Sequence, residues 1–254
     1  LGGGSHGTSQ NMFSTSDPTV SRMYRHPAFR RAYLRAWQDA IEGPLSVEKS
    51  TPMLDAVYRA FRDNSVSASA PTGIKNWIRG RRNYLIRELR KENAPFAITT
   101  HSGEAFASSD SVVTLEGTAP VSVKTIQING VSYPLTWTSV SDWRVKVPLT
   151  DRENVFHIAG FDHRGEQVSE GEDRITVNYS GTAQDPADYL VINELMYHPA
   201  VSGAGFVELF NRSQTHSFDL TGYLLNGAGF EFAPGSVLGP QDYAVVVSDR
   251  QVFS

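Results

Sequence analysis

The sequence predicts a multidomain chain in which a small three-helix segment is followed by two antiparallel β-sandwiches, the second incomplete. Two observations predict this order. Apolar residues recur at helical spacing up to about residue 93, and beyond Asn93-Ala94-Pro95 they alternate with period two in short runs bounded by turn residues. The net charge changes at the same place, from +7 over residues 1–93 to −11 over residues 94–254.

Three helices are predicted in residues 1–93. The first begins at Pro27, which suits an opening helical turn, and ends before Gly43-Pro44. The second begins around Thr51-Pro52. The third follows a break rich in Ser and Ala and carries a series of apolar residues: Ile74, Trp77, Ile78, Leu85 and Leu89. Helices of this length share only a small core, so we expect them to pack on a further part of the protein.

Two series of short strands are predicted after residue 93. Residues 94–180 contain SVVTLEGTA, VKTIQING, WRVKVPL, NVFHIAGFD and ITVNYS, with a turn at Asn129-Gly130. Trp137 and Trp143 are predicted to lie in the core of this module or between its strands. Residues 181–187 are predicted to form a linker. Residues 188–254 contain YLVINELMY, GFVELFN, YLLN, FEFA and YAVVV.

Composition excludes two classes of protein feature. The sequence has no Cys, so disulfides and thiolate metal sites are absent. No apolar run approaches the ~20 residues of a membrane-spanning helix, so no membrane span is predicted. The sequence begins at Leu1 without Met and ends just after a strand-like run. We expect it to be a fragment of a longer protein.

The last module resembles the lamin tail domain. VINELMYHP is similar to the opening Ile-Asn-Glu strand of that family, and FVELFN is similar to its Glu-Leu-x-Asn strand. DLTGYLLN and FEFAPGSVLGPQDYAVVV follow its later turn and loop motifs in the same order. The resemblance implies an Ig-like fold over residues 188–254, and we expect this copy to be incomplete because the family's last strands do not appear.

The helical segment is similar to the C-terminal helices of CotH-type (spore coat protein H) kinases. HPAFRRAYLRAW and WIRGRRNYLIREL carry this resemblance, and residues 94–180 resemble bacterial Ig-like spacer modules. The resemblance implies that residues 1–93 are a remnant of such a kinase domain whose nucleotide- and metal-binding segments lie upstream of Leu1. ATP and Mg would belong to that upstream part, so we assign no catalytic or cofactor-binding residue to this chain.

Glu194 and Glu208 are the candidate metal ligands. They occupy matching places in two neighbouring strand-like runs, so antiparallel pairing would bring their carboxylates close together. A close pair binds a metal ion, or one of its members has a raised pKa. The alternative, which we favour, is a structural role in which each accepts hydrogen bonds from loop backbone N–H groups.

The basic residues of the first and third helices are candidates for binding polyanions or phosphate. They are Arg30, Arg31, Arg35, Arg79, Arg81 and Arg82. No aromatic stacking pattern or helix-turn-helix motif accompanies them. We therefore do not expect nucleic acid as a partner.

Two other motifs favour structural interpretations. Gly3–Gly7 fits G-x-S-x-G, but a nucleophile elbow needs a strand before the Ser and a helix after it, so we predict a flexible loop. The acidic residues between Glu166 and Asp173 offer oxygen ligands for calcium, but they lack the D-x-D-x-D-G order and are predicted to be solvated.

These patterns, together with what the two resemblances imply, favour a non-catalytic region of a secreted or surface-attached multidomain bacterial protein. It would act as a spacer and as interaction or display modules for a protein or cell-envelope partner. The rival hypothesis is that the chain is part of an extracellular CotH-like protein kinase that transfers phosphoryl groups from ATP.

Overall fold

A computed structural model describes residues 7–182 and 184–253 of the chain. It divides into two compact units. The first extends to Pro95 and includes the loop segments Ala119–Lys124 and Trp137–Asp142. The second consists of Phe96–Thr118, Thr125–Thr136 and the chain from Trp143 onwards. Two loop segments that sequence assigns to the first β-module therefore group with the helices. The predicted boundaries at residues 93/94 and 181–187 stay predictions.

Within residues 7–95 the helical unit contains four helices, one more than predicted. They are α1 (Pro18–Arg25), α2 (Pro27–Glu42), α3 (Val47–Asp63) and α4 (Thr72–Lys91). The missed helix α1 starts because the Asp17 carboxylate accepts hydrogen bonds from the N–H groups of Thr19 and Val20, and Pro18 fits the first helical position. The start of α2 at Pro27 and its end before Gly43 are confirmed.

The predicted start of the second helix was wrong. Helix α3 begins at Val47, because the Ser46 hydroxyl caps it by accepting from the N–H of Lys49. Pro52 consequently lies inside the helix and not at its first turn. The helix is amphipathic, but its apolar residues Met53, Val57 and Phe61 are exposed.

The core of the helical unit is formed by α2, α4 and the two loop segments. Its buried apolar residues are Met12, Leu34, Ile41, Leu85, Val121 and Val140. Leu34 and Leu85 have no exposed surface. The helices thus find part of their core in loops that follow them in the chain.

The first β-module is built from nine strands in two sheets. They are β1 (Ala97–Ile98), β2 (Phe106–Ser108), β3 (Val112–Thr118), β4 (Thr125–Ile128), β5 (Val131–Ser132), β6 (Thr136–Trp137), β7 (Asp142–Pro148), β8 (Glu153–Phe161) and β9 (Gln167–Tyr179). One sheet has the order β1-β3-β7-β6 and the other β2-β9-β8-β4-β5. Strand β2 pairs with β9 in parallel, whereas the pairs β1–β3, β4–β5, β4–β8 and β8–β9 are antiparallel.

Alternation of side chains explains this core. In β3 and β7 every second residue is buried, as period two requires when one face of a sheet is covered. Trp143 is 1% exposed, which confirms its predicted core position. Asn129 and Gly130 both have positive φ, which is the conformation that a type I′ turn between β4 and β5 needs.

Within residues 184–253 the second β-module is all-β apart from a 3-10 turn at Pro186–Asp188 and one short α-helix. Its elements are β10 (Leu190–Met196), β11 (Phe206–Asn211), β12 (Phe218–Asp219), β13 (Leu224–Leu225), β14 (Phe230–Glu231), β15 (Val237–Leu238), β16 (Tyr243–Val247) and α5 (Arg250–Phe253). A three-stranded sheet has the order β10-β11-β16, and β12-β15 and β13-β14 form two-stranded ladders. Phe218, Leu220, Phe232 and Leu238 are the buried centre of its core. The predicted fold class, helices followed by antiparallel β-modules, is confirmed.

Candidate functional site

Arg31 on α2 is enclosed by backbone carbonyl groups. Its Nη2 donates to the carbonyl oxygens of Pro120 at 2.6 Å and Val123 at 2.7 Å. Its Nη1 donates to those of Val140 and Ala119. The guanidinium carbon lies 3.5 Å from the ring centroid of Trp137, so the plane of the group is also covered. The side chain is a clamp between α2 and the two loop segments.

This position corrects the prediction that Arg31 binds polyanions. The residue is 1% exposed, and its donors are directed at carbonyl groups of the chain itself. Burial, with a smaller contribution from the charge of Arg35, lowers the pKa of Arg31 to about 9. The group is therefore still cationic at neutral pH, and its charge is stabilised by carbonyl dipoles.

Arg81 on α4 has a similar role at the start of the described chain. Its Nη1 donates to the carbonyl oxygens of Gln10 and Thr8, and its guanidinium lies 5.0 Å from the ring centroid of Tyr84. The residue is 8% exposed. Arg81 therefore fastens residues 8–10 onto α4 and is not an accessible cation.

The other four arginines are only partly available to a ligand. Arg30 forms an ion pair with Glu92 at 2.5 Å, and its guanidinium covers the ring of Phe13. Arg82 is half-buried, and its Nε donates to the carbonyl oxygen of Ile41. Arg35 is half-buried and Arg79 is exposed. The six candidates do not form one open basic surface.

Glu194 and Glu208 lie directly opposite each other in the antiparallel pair β10–β11. A β-bulge between Ile192 and Glu194 places both Asn193 and Glu194 opposite Glu208. The Asn193 side-chain amide donates to Glu208 Oε1 at 2.6 Å. We expected Glu208 to accept a hydrogen bond from a loop backbone N–H group, but its donor is a neighbouring side chain. Glu194 is exposed.

The two acids belong to what we call the outer face of the sheet β10-β11-β16, the face turned away from the core. Strand register assigns the other members of this face: Val191, Met196, Phe206, Phe210, Tyr243, Val245 and Val247. The opposite face carries Leu209, Ala244 and Val246, which pack against the core. The rings of Phe210 and Tyr243 stack with centroids 4.5 Å apart.

Asn211, at the end of β11, is a structural centre of this module. It has no exposed surface, and its Nδ2 donates to the carbonyl oxygens of His216 at 2.7 Å and Gly239 at 2.8 Å. Its Oδ1 accepts from the N–H of Ser213 at 3.0 Å. One amide thus joins β11 to two loops. The sequence motif FVELFN contained this residue but did not indicate that its amide is buried.

The order of these strands and motifs agrees with a known family. Residues 183–253 match the Lamin Tail Domain family model. We call these residues the lamin tail region. Glu208 and Asn211 of the Glu-Leu-x-Asn motif therefore lie within it, as does the outer face. The resemblance of the helical segment to CotH-type kinases has no counterpart in this match.

Other comparisons add little to this assignment. No curated protein matches the chain. Among solved structures, SGBP-B from the mixed-linkage glucan utilization locus of Bacteroides ovatus, in complex with a mixed-linkage heptasaccharide, covers 63% of this chain at 9% identity with a TM-score of 0.24. The chain spans 46% of that protein. A score this low supports no conclusion about fold or ligand.

The remaining sequence motifs do not converge on a site. Gly3 to His6 of the G-x-S-x-G motif lie outside the described residues. Of the acidic run that was predicted to be a solvated loop, Glu170, Glu172 and Asp173 lie in strand β9. Asp173 accepts from the N–H of Ile98, and Glu172 accepts from the side chain of Gln167. Within residues 7–182 and 184–253, no three His, Asp or Glu side chains gather as metal ligands, and no helix has the length and hydropathy of a membrane crossing.

Proposed function

We propose that this chain is a non-catalytic region of a secreted or surface-attached multidomain bacterial protein, in which it separates domains and presents the lamin tail region to a partner. One observation carries the proposal: the outer face of the sheet β10-β11-β16 is largely apolar, and it remains partly exposed. Tyr243 is 55% exposed and Val245 is 40% exposed. Exposed apolar faces rimmed by polar residues are typical of interaction surfaces.

The use of charged groups in the chain supports a structural role for the helices. Arg31 and Arg81 donate to backbone carbonyls, and Arg30 pairs with Glu92. These cations stabilise the packing of the helical unit. They are not arranged around an open cleft as phosphate-binding groups would be.

The rival proposal is that the helices are part of a CotH-like kinase whose catalytic residues lie upstream of Leu1. It is favoured by the apolar residues that the helical unit leaves uncovered. Met53, Val57 and Phe61 recur at helical spacing on α3, and Ile74 on α4 is likewise exposed. Such faces suit packing against another lobe.

Calorimetric titration of this chain with Mg-ATP tests the proposed function. The rival places the nucleotide site upstream of Leu1, so it is tested by the same titration of a chain that is extended at its N-terminus. A non-catalytic region gives no binding heat, and no transfer of the terminal phosphate to a protein substrate. Saturable Mg-ATP binding by this chain would contradict the proposed function, and binding only by the extended chain would favour the kinase.

A parallel calcium titration tests the metal alternative for Glu194 and Glu208. We expect no binding that depends on these acids. Calcium binding that is lost in the variant Glu194→Gln/Glu208→Gln, and kept in Glu153→Gln/Glu166→Gln, would make the pair a metal site.

A further inference from the structure

The outer face of the lamin tail region differs from an ordinary solvated sheet face. Antiparallel sheets that cover a core on one side commonly present polar residues on the other. Here apolar side chains occupy most positions of both faces. Phe253 of α5 contacts Phe206 with ring centroids 5.5 Å apart, which covers one end of the outer face. The rows around Phe210–Tyr243 and around Val245 stay open.

The acid pair lies in the middle of this open area. Glu194 and Glu208 are cross-strand neighbours, and Val245 is the neighbour of Glu208 on the other side. Like charges directly opposite each other in a sheet are destabilising. Asn193 supplies one hydrogen bond to Glu208, but a neutral amide does not cancel the second charge. Two acidic residues are therefore cross-strand neighbours on the outer face, and a cation placed between them would be favourable.

The rest of the lamin tail region supplies little positive charge. Residues 184–253 contain eight Asp or Glu and two Arg, a net charge of −6. One of these two, Arg212, donates from Nε and Nη2 to the carbonyl oxygen of Asp188. Among the described residues no ion pair joins Arg212 or Arg250 to Glu194 or Glu208, so a partner is expected to supply the cation.

We propose that the outer face binds a basic peptide segment of a partner protein, in which a Lys or Arg is flanked by apolar residues. The cationic head lies between the carboxylates of Glu194 and Glu208. Its aliphatic stem and the flanking residues cover Val245 and the stacked rings of Phe210 and Tyr243. This inference rests on the proposed function and names the chemistry of the partner.

Charge favours this occupant over a second copy of the chain. Two lamin tail regions meeting through their outer faces would bring two acid pairs together, with a net charge of −6 on each side. Complementary potentials attract partners, and like charges in contact disfavour association. A basic segment supplies positive charge opposite the two acids, and its apolar residues can pack on the rest of the outer face.

Two pools of capped octapeptides test the proposal with the full chain. Both have apolar residues at the flanking positions. The central residue is Lys or Arg in the first pool and Glu or Gln in the second. The immobilised chain is expected to enrich the first pool, and the enrichment is expected to fall as salt is added. Equal enrichment of both pools, or of neither, would overturn the proposal.

Matched variants locate the binding. Glu194→Gln/Glu208→Gln is expected to weaken binding of the best basic peptide about tenfold, since two partly exposed ion pairs contribute about 1.4 kcal/mol together. Its melting temperature should be unchanged or higher because the repulsion is relieved. Glu153→Gln/Glu166→Gln makes the same change of charge in the first β-module and should bind as the unaltered chain does.

The outcomes separate this inference from the proposed function. If the second pool is enriched, the region is an interaction module for another kind of partner and only the basic-segment proposal fails. If Glu153→Gln/Glu166→Gln loses as much affinity as Glu194→Gln/Glu208→Gln, the attraction is due to net charge and the assigned site is wrong. Binding of Mg-ATP would instead contradict the proposed function.

Discussion

The guanidinium of Arg31 lies 3.5 Å from the ring centroid of Trp137, which joins a residue of the second helix to a residue at the end of β6. The guanidinium group also donates to four backbone carbonyl oxygens. Among these contacts its positive charge is buried without a carboxylate partner. Helix α2 and the loop segments 119–124 and 137–142 are held together by one side chain. The stability of the helical unit should depend on it.

Replacing Arg31 by Met is expected to lower the free energy of unfolding by at least about 3 kcal/mol, because buried carbonyl groups would lose their donor. Urea denaturation followed by helical circular dichroism measures the change. Arg79→Met removes an exposed arginine from α4 and should stay within about 0.5 kcal/mol of the unaltered protein. A loss below about 1 kcal/mol for Arg31→Met would show that the clamp is dispensable.

Replacing Gly117 by Ala should destabilise the first β-module by about 1–3 kcal/mol through overpacking. A Cβ at this position would overlap the Trp143 ring and lie 2.5 Å from the carbonyl oxygen of Ala97. Gly73→Ala is the control, since a Cβ there meets no atom within 4 Å. Thermal denaturation of the two variants compares them, and equal melting temperatures would contradict the close packing at Gly117.

Replacing Asn211 by Ala is expected to destabilise the lamin tail region by about 2–4 kcal/mol, since several buried backbone groups lose their partner. Amide hydrogen exchange in β11 and β16 would report faster opening. Asn226→Ala, at an exposed position of the same region, should leave exchange unchanged. Unchanged protection in Asn211→Ala would mean that the loops are held by other contacts.

The turn between β8 and β9 should weaken in acid because of Asp162. Its carboxylate accepts from the N–H groups of Glu166 and Arg164 and from Arg164 Nε, and these bonds lower the pKa of Asp162, the Glu166 bond most. The stabilisation is present above the ordinary Asp pKa of about 4 and is lost as pH falls through the lower folded value. The protection of the turn amides relative to their intrinsic exchange rate, measured between pH 6 and pH 2, checks this, and Asp162→Asn should remove the loss of protection in acid.

Heparin binding tests the polyanion prediction. Because Arg31 and Arg81 are buried and Arg30 is paired, we expect no retention of the chain on heparin at physiological salt. Chromatography with a salt gradient measures it. Retention that decreases steeply with salt and is lost in Arg79→Gln would restore α4 as a polyanion-binding helix.

Local patterns in the sequence predicted a large part of the fold. The change from helical spacing to alternation after residue 93, the start of α2 at Pro27 and the turn at Asn129-Gly130 depend on neighbouring residues only. Helix α1 was missed and α3 was misplaced because single capping side chains, Asp17 and Ser46, decided where they begin. One capping side chain can set where a helix begins, whereas helix propensity and apolar spacing give only a weak signal at that point.

Sequence alone determined the succession of helices and antiparallel strands and the motif order of the lamin tail region, because periodicity and turn chemistry are properties of short segments. Only the tertiary structure decided what Arg31 and Glu208 do. The carbonyl partners of Arg31 come from loops distant in sequence, and a one-residue bulge places Asn193 opposite Glu208 beside Glu194. Long-range packing and strand register leave no periodic signal in the sequence. The burial of Arg31 and the hydrogen-bond partner of Glu208 are therefore visible only in the folded chain.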